Sequence, residues 1–292
     1  MTIWNLGSIN ADHFYALPHL PAPGETLAAT NYHTGLGGKG ANQSVAAARA
    51  GAEVYHIGAV GPEGGWAIDR LADYGVGTGG IAQGETPTGH AIINVAADGE
   101  NAIVIFPGAN TALDLATVTH AMERAQAGDL LLMQNETSLQ AEVAAWAVRR
   151  GMRLVYSAAP FDVEAVRAVL PFVDVLMVNQ VEAQQLSEAL DQPVDQLPVP
   201  NVVVTLGADG AAWYMPAAGE RITVVAPQVD PVDTTGAGDT FAGFVAAGLD
   251  AGLGAHAAMH RAAAAAALKV TKRGTADAIP PLPEVLAFME TA

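Results

Sequence analysis

The chain of 292 residues has no cysteine, which excludes a disulfide framework, a thiol nucleophile and a thiolate-ligated zinc. Charge is scarce and one-sided. Only 15% of residues are charged, and 13 Lys and Arg stand against 30 Asp and Glu, a formal net charge of -17. A nucleic-acid groove or attachment to an anionic membrane surface needs clustered cations, so neither is expected, and an anionic ligand must be held by local features. No apolar run reaches the roughly 18 unbroken residues of a spanning helix, and the opening "MTIWNLGSIN" carries no basic segment followed by an apolar one. The expectation is a soluble, cytoplasmic protein. Aromatics are few at 6%, yet 51% of residues are hydrophobic, enough for one large core, and a single domain over 1–292 is expected.

Short apolar runs recur: "IWNLG", "VYHIGAV", "HAIINVAA", "NAIVIF", "DLLLMQ", "RLVYSAA", "VDVLMVN", "NVVVTLG" and "ITVVAP". Between many of them lie helical patterns such as "NQSVAAARAG", "SLQAEVAAWAVRRG" and "QVEAQQLSEAL". Alternation of this kind predicts an α/β fold, doubly wound, with a mostly parallel sheet and helices on both faces. Two stretches break it. From about 10 to 36 the chain carries Pro18, Pro21, Pro23 and Gly24 without helical period, and from about 88 to 107 two strands meet at Asp98-Gly99, a hairpin signal. These predict a small β lid beside the main sheet. Its exposed edges want partners, so a homodimer through the lid is expected.

Ligands of open parallel sheets sit beyond the carboxyl ends of the strands. Polar or glycine-rich residues follow five such ends here: Asn10 and Asp12, Glu136, Asn179 and Glu182, the turn Gly207 to Gly210, and the stretch "DTTGAGDTF" from Asp233 to Phe241. Each alone also reads as a turn or helix cap; together they favour a site. In the last stretch Gly236, Ala237 and Gly238 allow close approach to backbone, and the helix that follows begins with N–H groups lacking intrahelical partners. Such a turn attracts phosphate. Asp239 then reads either as a helix-start carboxylate favoured by the dipole or as the acceptor of a proton from an attacking hydroxyl. A carboxylate near pKa ~3.9 facing a hydroxyl near ~15.7 falls short by roughly 12 units, ~16 kcal/mol, so it cannot ionise the alcohol beforehand. It can take the proton as the bond to phosphorus forms.

Other readings are weaker. Gly35, Gly37 and Gly40 match G-x-G-x-x-G, but "AATNYHT" before them is not a buried strand and the first strand-to-helix turn lies at Gly7, against a dinucleotide fold. No stretch supplies G-x-x-x-x-G-K. Gly37 and Gly38 lead instead into a helix on which Lys39 and Asn42 share a face, suited to a polyhydroxylated molecule. His256 and His260 are spaced for a metal, but the glutamate of a zinc-protease helix is missing between them.

"GGKGANQSVAAARAG" and "DTTGAGDTFAGFVAAGL" closely resemble the two signatures of the ribokinase-like family of carbohydrate and nucleoside kinases. The similarity extends through "GSINADH", "PAPGET", "PTGHAIINVAADGENAIVIFPGAN", "LLMQNE", "VNQVEA", "VTLGADG" and "VTKRG". It implies ATP-dependent phosphorylation of a small sugar, foremost O5 of D-ribose, with another sugar or a nucleoside as the alternative and a non-catalytic sugar-binding module as a remote one. By the resemblance, Asn10, Asp12, Gly38, Lys39, Asn42 and Glu136 hold the sugar, Asp239 is the base, and Gly236 to Gly238 form the anion hole. Asn179 and Glu182 would work with Mg2+ and the phosphates through water, and Thr205, Leu206, Gly207, Ala208, Asp209, Gly210, Gly238 and Ala263 would line the ATP site. Asp233 and Thr235, with carbonyls of Lys269, Lys272 and Gly274, would bind an activating monovalent cation, expected to be potassium. Three positions depart from the family pattern. Ala278 replaces a frequent serine ligand, which weakens the expected potassium dependence. Ala263 replaces a frequent His or Asn against adenine, and Asn135 beside Glu136 is expected to alter sugar selectivity.

Overall fold

A computed structural model describes residues 1–291. In chain order the elements begin with β1 (Ile3–Leu6), β2 (Asn10–Leu17), β3 (Asn31–Gly37), α1 (Lys39–Arg49), β4 (Val54–Val60), α2 (Gly65–Asp73) and β5 (Gly77–Gln83). Next come β6 (Gly89–Ala96), β7 (Asn101–Phe106), α3 (Leu115–Ala121), β8 (Leu130–Gln134), α4 (Gln140–Arg149), β9 (Arg153–Ser157) and α5 (Val163–Val169). The chain closes with β10 (Val175–Asn179), α6 (Gln180–Leu190), β11 (Asn201–Thr205), β12 (Ala211–Met215), β13 (Glu220–Val224), α7 (Ala237–Asp250), α8 (Ala255–Val270) and α9 (Leu282–Met289).

Nine strands form one sheet in the order β13-β12-β11-β10-β9-β8-β1-β4-β5. All pairs from β11 to β5 are parallel, β12 is antiparallel to β11, and β13, antiparallel to β12, runs with the parallel set again. Successive residues serve opposite faces, which is why the central strands are continuously apolar. Ile3 and Leu130 enter a core with Val45 and Phe244 of α1 and α7; Trp4 and Leu131 enter another with Val143 and Leu186 of α4 and α6. No helix among the described residues is long and apolar enough to cross a membrane.

The smaller sheet has the order β3-β2-β6-β7, with β2 and β6 parallel and both outer pairs antiparallel. Three residues separate β1 from β2, so this sheet springs directly from the carboxyl end of β1, an interior strand. Its outer strand β7 is exposed along its whole length.

One helix crossing positions the site. A Cβ on Gly243 of α7 would lie 2.5 Å from the Ala46 Cβ and 2.6 Å from the Gln43 carbonyl of α1. Only glycine permits that approach, and it sets the start of α1 against the start of α7.

Candidate active site

The loop after β13 ends at Gly236, whose left-handed backbone caps α7, and Asp239 lies in the first turn. Among the described residues, the amides of Gly236, Gly238 and Asp239 meet no protein acceptor, while Ala237 donates to the Thr234 carbonyl at 3.2 Å. Unpartnered amides at a helix start form an anion site. Asp239 is buried, and both its oxygens are engaged: Asn42 Nδ2 donates to Oδ2 and Gln43 Nε2 to Oδ1, each at 3.1 Å. Two neutral donors fix the carboxylate, and the Lys39 ammonium lies close enough to interact with its charge.

Behind Gln43 runs a chain of buried amides. Gln134 Nε2 donates to Gln43 Oε1 at 2.8 Å and to Asn5 Oδ1 at 2.9 Å, and Asn5 Nδ2 donates to Ser44 Oγ at 2.7 Å. His56 closes the chain, its Nε2 donating to the Gly7 carbonyl at 3.0 Å and its Nδ1 accepting from Ser44. Complete burial holds the His56 pKa down at about 4, so the ring is neutral and this tautomer fits.

On the lid side, Asn10 and Asp12 alternate onto one face of β2 and are buried. Asn110 orients Asn10, donating from Nδ2 to its Oδ1 at 2.8 Å. Asp12 packs against the bare backbone of Gly37, where a Cβ would fall 2.0 Å from its Oδ2. Burial first, then the Glu136 and Asp239 carboxylates, push the Asp12 pKa up to about 7. Glu136 accepts from Ser8 Oγ and from the Lys39 amide at 3.0 Å. The Lys39 ammonium is held above the ordinary lysine range by Asp239, with Glu136 and Glu182 adding to the effect.

Two cavities meet beyond the strand ends. One, of about 230 Å³, is bordered by Lys39, Asn179, Glu182, Gly236, Gly238 and Asp239. The other, of about 310 Å³, is apolar, with Ala263, Ala266 and Val270 of α8 facing Ala226, Pro227 and Val229. Thr205 and Gly238 line both. Asn179 and Glu182 also cap α6 reciprocally: Asn179 Oδ1 accepts from the Glu182 amide, and Glu182 Oε2 from the Asn179 amide, each at 2.8 Å. Burial raises the Glu182 pKa.

Where a monovalent cation was expected, the chain places an ammonium group. Lys269 is fully buried, and its Nζ donates to the Asp233 carbonyl at 2.9 Å. The Asp233 carboxylate accepts from the amides of Thr235 at 2.9 Å and Gly274 at 3.0 Å. An ammonium fixed at the Asp233 carbonyl repels a second cation bound beside it. Lys272 turns outward to Glu284 at 2.7 Å.

The model of the pfkB family carbohydrate kinases matches residues 3–282. This chain belongs to the pfkB family of carbohydrate kinases. It is 38% identical to a ribokinase of Haemophilus influenzae, covering 100% of this chain and 99% of the relative. A Thermotoga maritima ribokinase structure superposes with a TM-score of 0.90 at 30% identity, covering 99% of each chain. An Arabidopsis thaliana ribokinase complexed with ribose and ATP gives 0.89 at 29%, covering 100% of this chain and 99% of the other. The fold expected from the sequence, a doubly wound sheet with a small β lid, is the fold of these kinases.

In this pfkB kinase Asn10, Asp12, Lys39, Asn42, Glu136 and Asp239 converge, as the contacts above show. Of the expected nucleotide residues, Thr205, Gly207, Ala208, Gly210, Gly238 and Ala263 line the apolar cavity; Leu206 packs into the core and Asp209 lies off its wall. Asn135 turns away from the lid residues, accepting from the Tyr156 hydroxyl and donating to the Pro160 carbonyl. The rings of His256 and His260 stack with centroids 5.8 Å apart, and among the described residues no third ligand joins them. Gln43, Ser8, Asn110 and Gln134 were missed. Ser8, Gln43 and Gln134 sit one or two residues from a residue that was singled out, whereas Asn110 follows β7 and reaches Asn10 only through the fold; only the helix crossing reveals that Gln43 faces Asp239.

Proposed function

We propose that this kinase transfers the γ-phosphate of ATP to the primary O5 hydroxyl of D-ribose, with Asp239 as the base. The observation that carries the reading is the Asp239 carboxylate, held by Asn42 and Gln43 where the polar lid-side residues meet the phosphate cavity. Asn10, Asp12, Glu136 and Lys39 supply acceptors and a cation suited to a small polyol. The Haemophilus relative is a ribokinase, and the Arabidopsis structure holds ribose and ATP.

Asp239 orients the hydroxyl and accepts its proton as the oxygen–phosphorus bond forms. The amides of Gly236, Gly238 and Asp239 stabilise charge on the transferring group, and Lys39 bridges the acidic residues around it. Thr205, Gly207, Ala208, Gly210 and Ala263 would seat the nucleotide base and ribose. Asn179 and Glu182, which border the phosphate cavity, would hold Mg2+ together with the phosphates through water. When bound it neutralises phosphate charge. We take 1–292 as one kinase domain with a discontinuous lid over about 10–36 and 88–107, acting in the cytoplasm as a homodimer joined through that lid.

A coupled assay over pentoses, hexoses and nucleosides tests the acceptor: ribose is expected to give the highest kcat/KM, and faster turnover of adenosine or a ketose overturns the assignment. Asp239→Asn is expected to retain ribose binding by calorimetry and to lose at least ~100-fold in kcat. Near-normal turnover would remove Asp239 as the base.

A further inference from the structure

The structure assigns Lys269 the part of a built-in monovalent cation: its ammonium group replaces the potassium ion implied at Asp233, so the anion hole of this kinase is organised without added potassium. The inference rests on reading the Gly236 to Asp239 amides as the phosphate site.

Lysine is almost never fully buried without a partner. Lys269 is among the largest fully buried side chains here, and the acceptor its Nζ meets is a backbone carbonyl, that of Asp233. Carbonyl oxygens are the acceptors a potassium ion uses. The surroundings leave little for a free ion. Both Asp233 carboxylate oxygens are taken by backbone amides, the amides of Val232 and Asp233 both donate to the Val270 carbonyl, and Ala278 offers no hydroxyl. Burial pulls the Lys269 pKa down, while Asp233 and Asp239 favour the charged form. With the Asp233 carbonyl as its acceptor, the Lys269 head group stands behind the turn from Asp233 to Asp239, fixed to the end of α8 instead of drawn from solution. Lys269 is a positioning residue, since it touches the turn and not the cavity.

The test uses ADP binding by calorimetry beside turnover, with KCl replaced by tetramethylammonium chloride at equal ionic strength. For the wild-type chain both readouts are expected to change by less than about twofold, because screening is held constant. A several-fold gain from potassium overturns the inference. Lys269→Ala is expected to lose at least about tenfold in ADP affinity in tetramethylammonium, the scale of one charged hydrogen bond, and to regain much of it in KCl or NH4Cl. Lys269→Met, which fills the space without charge, is expected to lose the same affinity and not regain it. Wild-type ADP affinity in Lys269→Met also overturns the inference. Thermal melts check that each variant folds, and if neither does, the wild-type comparison decides alone. ADP binding needs no sugar, so a wrong acceptor leaves this test intact, whereas a wild-type chain that binds no ADP in either salt overturns the phosphate reading on which the inference rests.

Discussion

At the scale of single residues, the acidic cluster has a measurable cost in stability. Asp12 titrates near 7 in the folded chain because it is buried beside Glu136 and Asp239, against 3.8 as its ordinary value. Between those values the native state keeps a proton that the unfolded chain has released. Stability from Asp12 is therefore full below about pH 4, falls as pH rises, and is flat above about 7. Relative to Asp12→Asn, the wild-type chain should lose roughly 2 to 3 kcal/mol between pH 5 and pH 8. Urea midpoints at the two pH values check this, and parallel curves would show that Asp12 is ionised throughout. Ribose affinity should move the other way, rising toward pH 8, because the ionised carboxylate accepts from two hydroxyls.

At the scale of elements, the crossing of α1 and α7 joins stability to chemistry. Gly243→Val would drive a side chain into Ala46 and the Gln43 carbonyl. The expected cost is about 1–3 kcal/mol from overpacking, with a fall in kcat because Gln43 no longer reaches Asp239. Unchanged melting and turnover would show that the helices separate freely. Gly243, the first glycine in "TFAGFVAAGL", is visible in the sequence, but which neighbour it admits is not. Other elements were legible in proportion to their pattern. The hairpin at Asp98-Gly99 forms as β6 and β7, and Asn10 and Asp12 lie on extended β2. β5, written "GTGGIAQ", and β12, written "AAWYM", carry too little apolar alternation to stand out; pairing with β4 and β11 makes them strands. The backbone position of Lys269 was legible, but the direction of its side chain, which reverses its part in the site, depends on how α8 meets the turn at Asp233.

For the whole molecule, the proposed assembly turns on the outer edge of the lid. Ile103, Val104, Ile105 and Phe106 of β7 are 53%, 62%, 60% and 44% exposed, apolar on both faces of an outer strand. Natural sheets cover or charge such an edge. Sedimentation is expected to show twice the 29.9 kDa chain mass at micromolar concentration, and Ile103→Glu with Ile105→Glu should yield the monomer. A wild-type monomer would rule out this pairing.

The apolar cavity is walled by residues between Thr205 and Phe241 and by α8, none of them from the small sheet. On the proposed reading, nucleotide exchange would then require no displacement of the small sheet, whereas the acceptor would bind against residues that β2 itself carries.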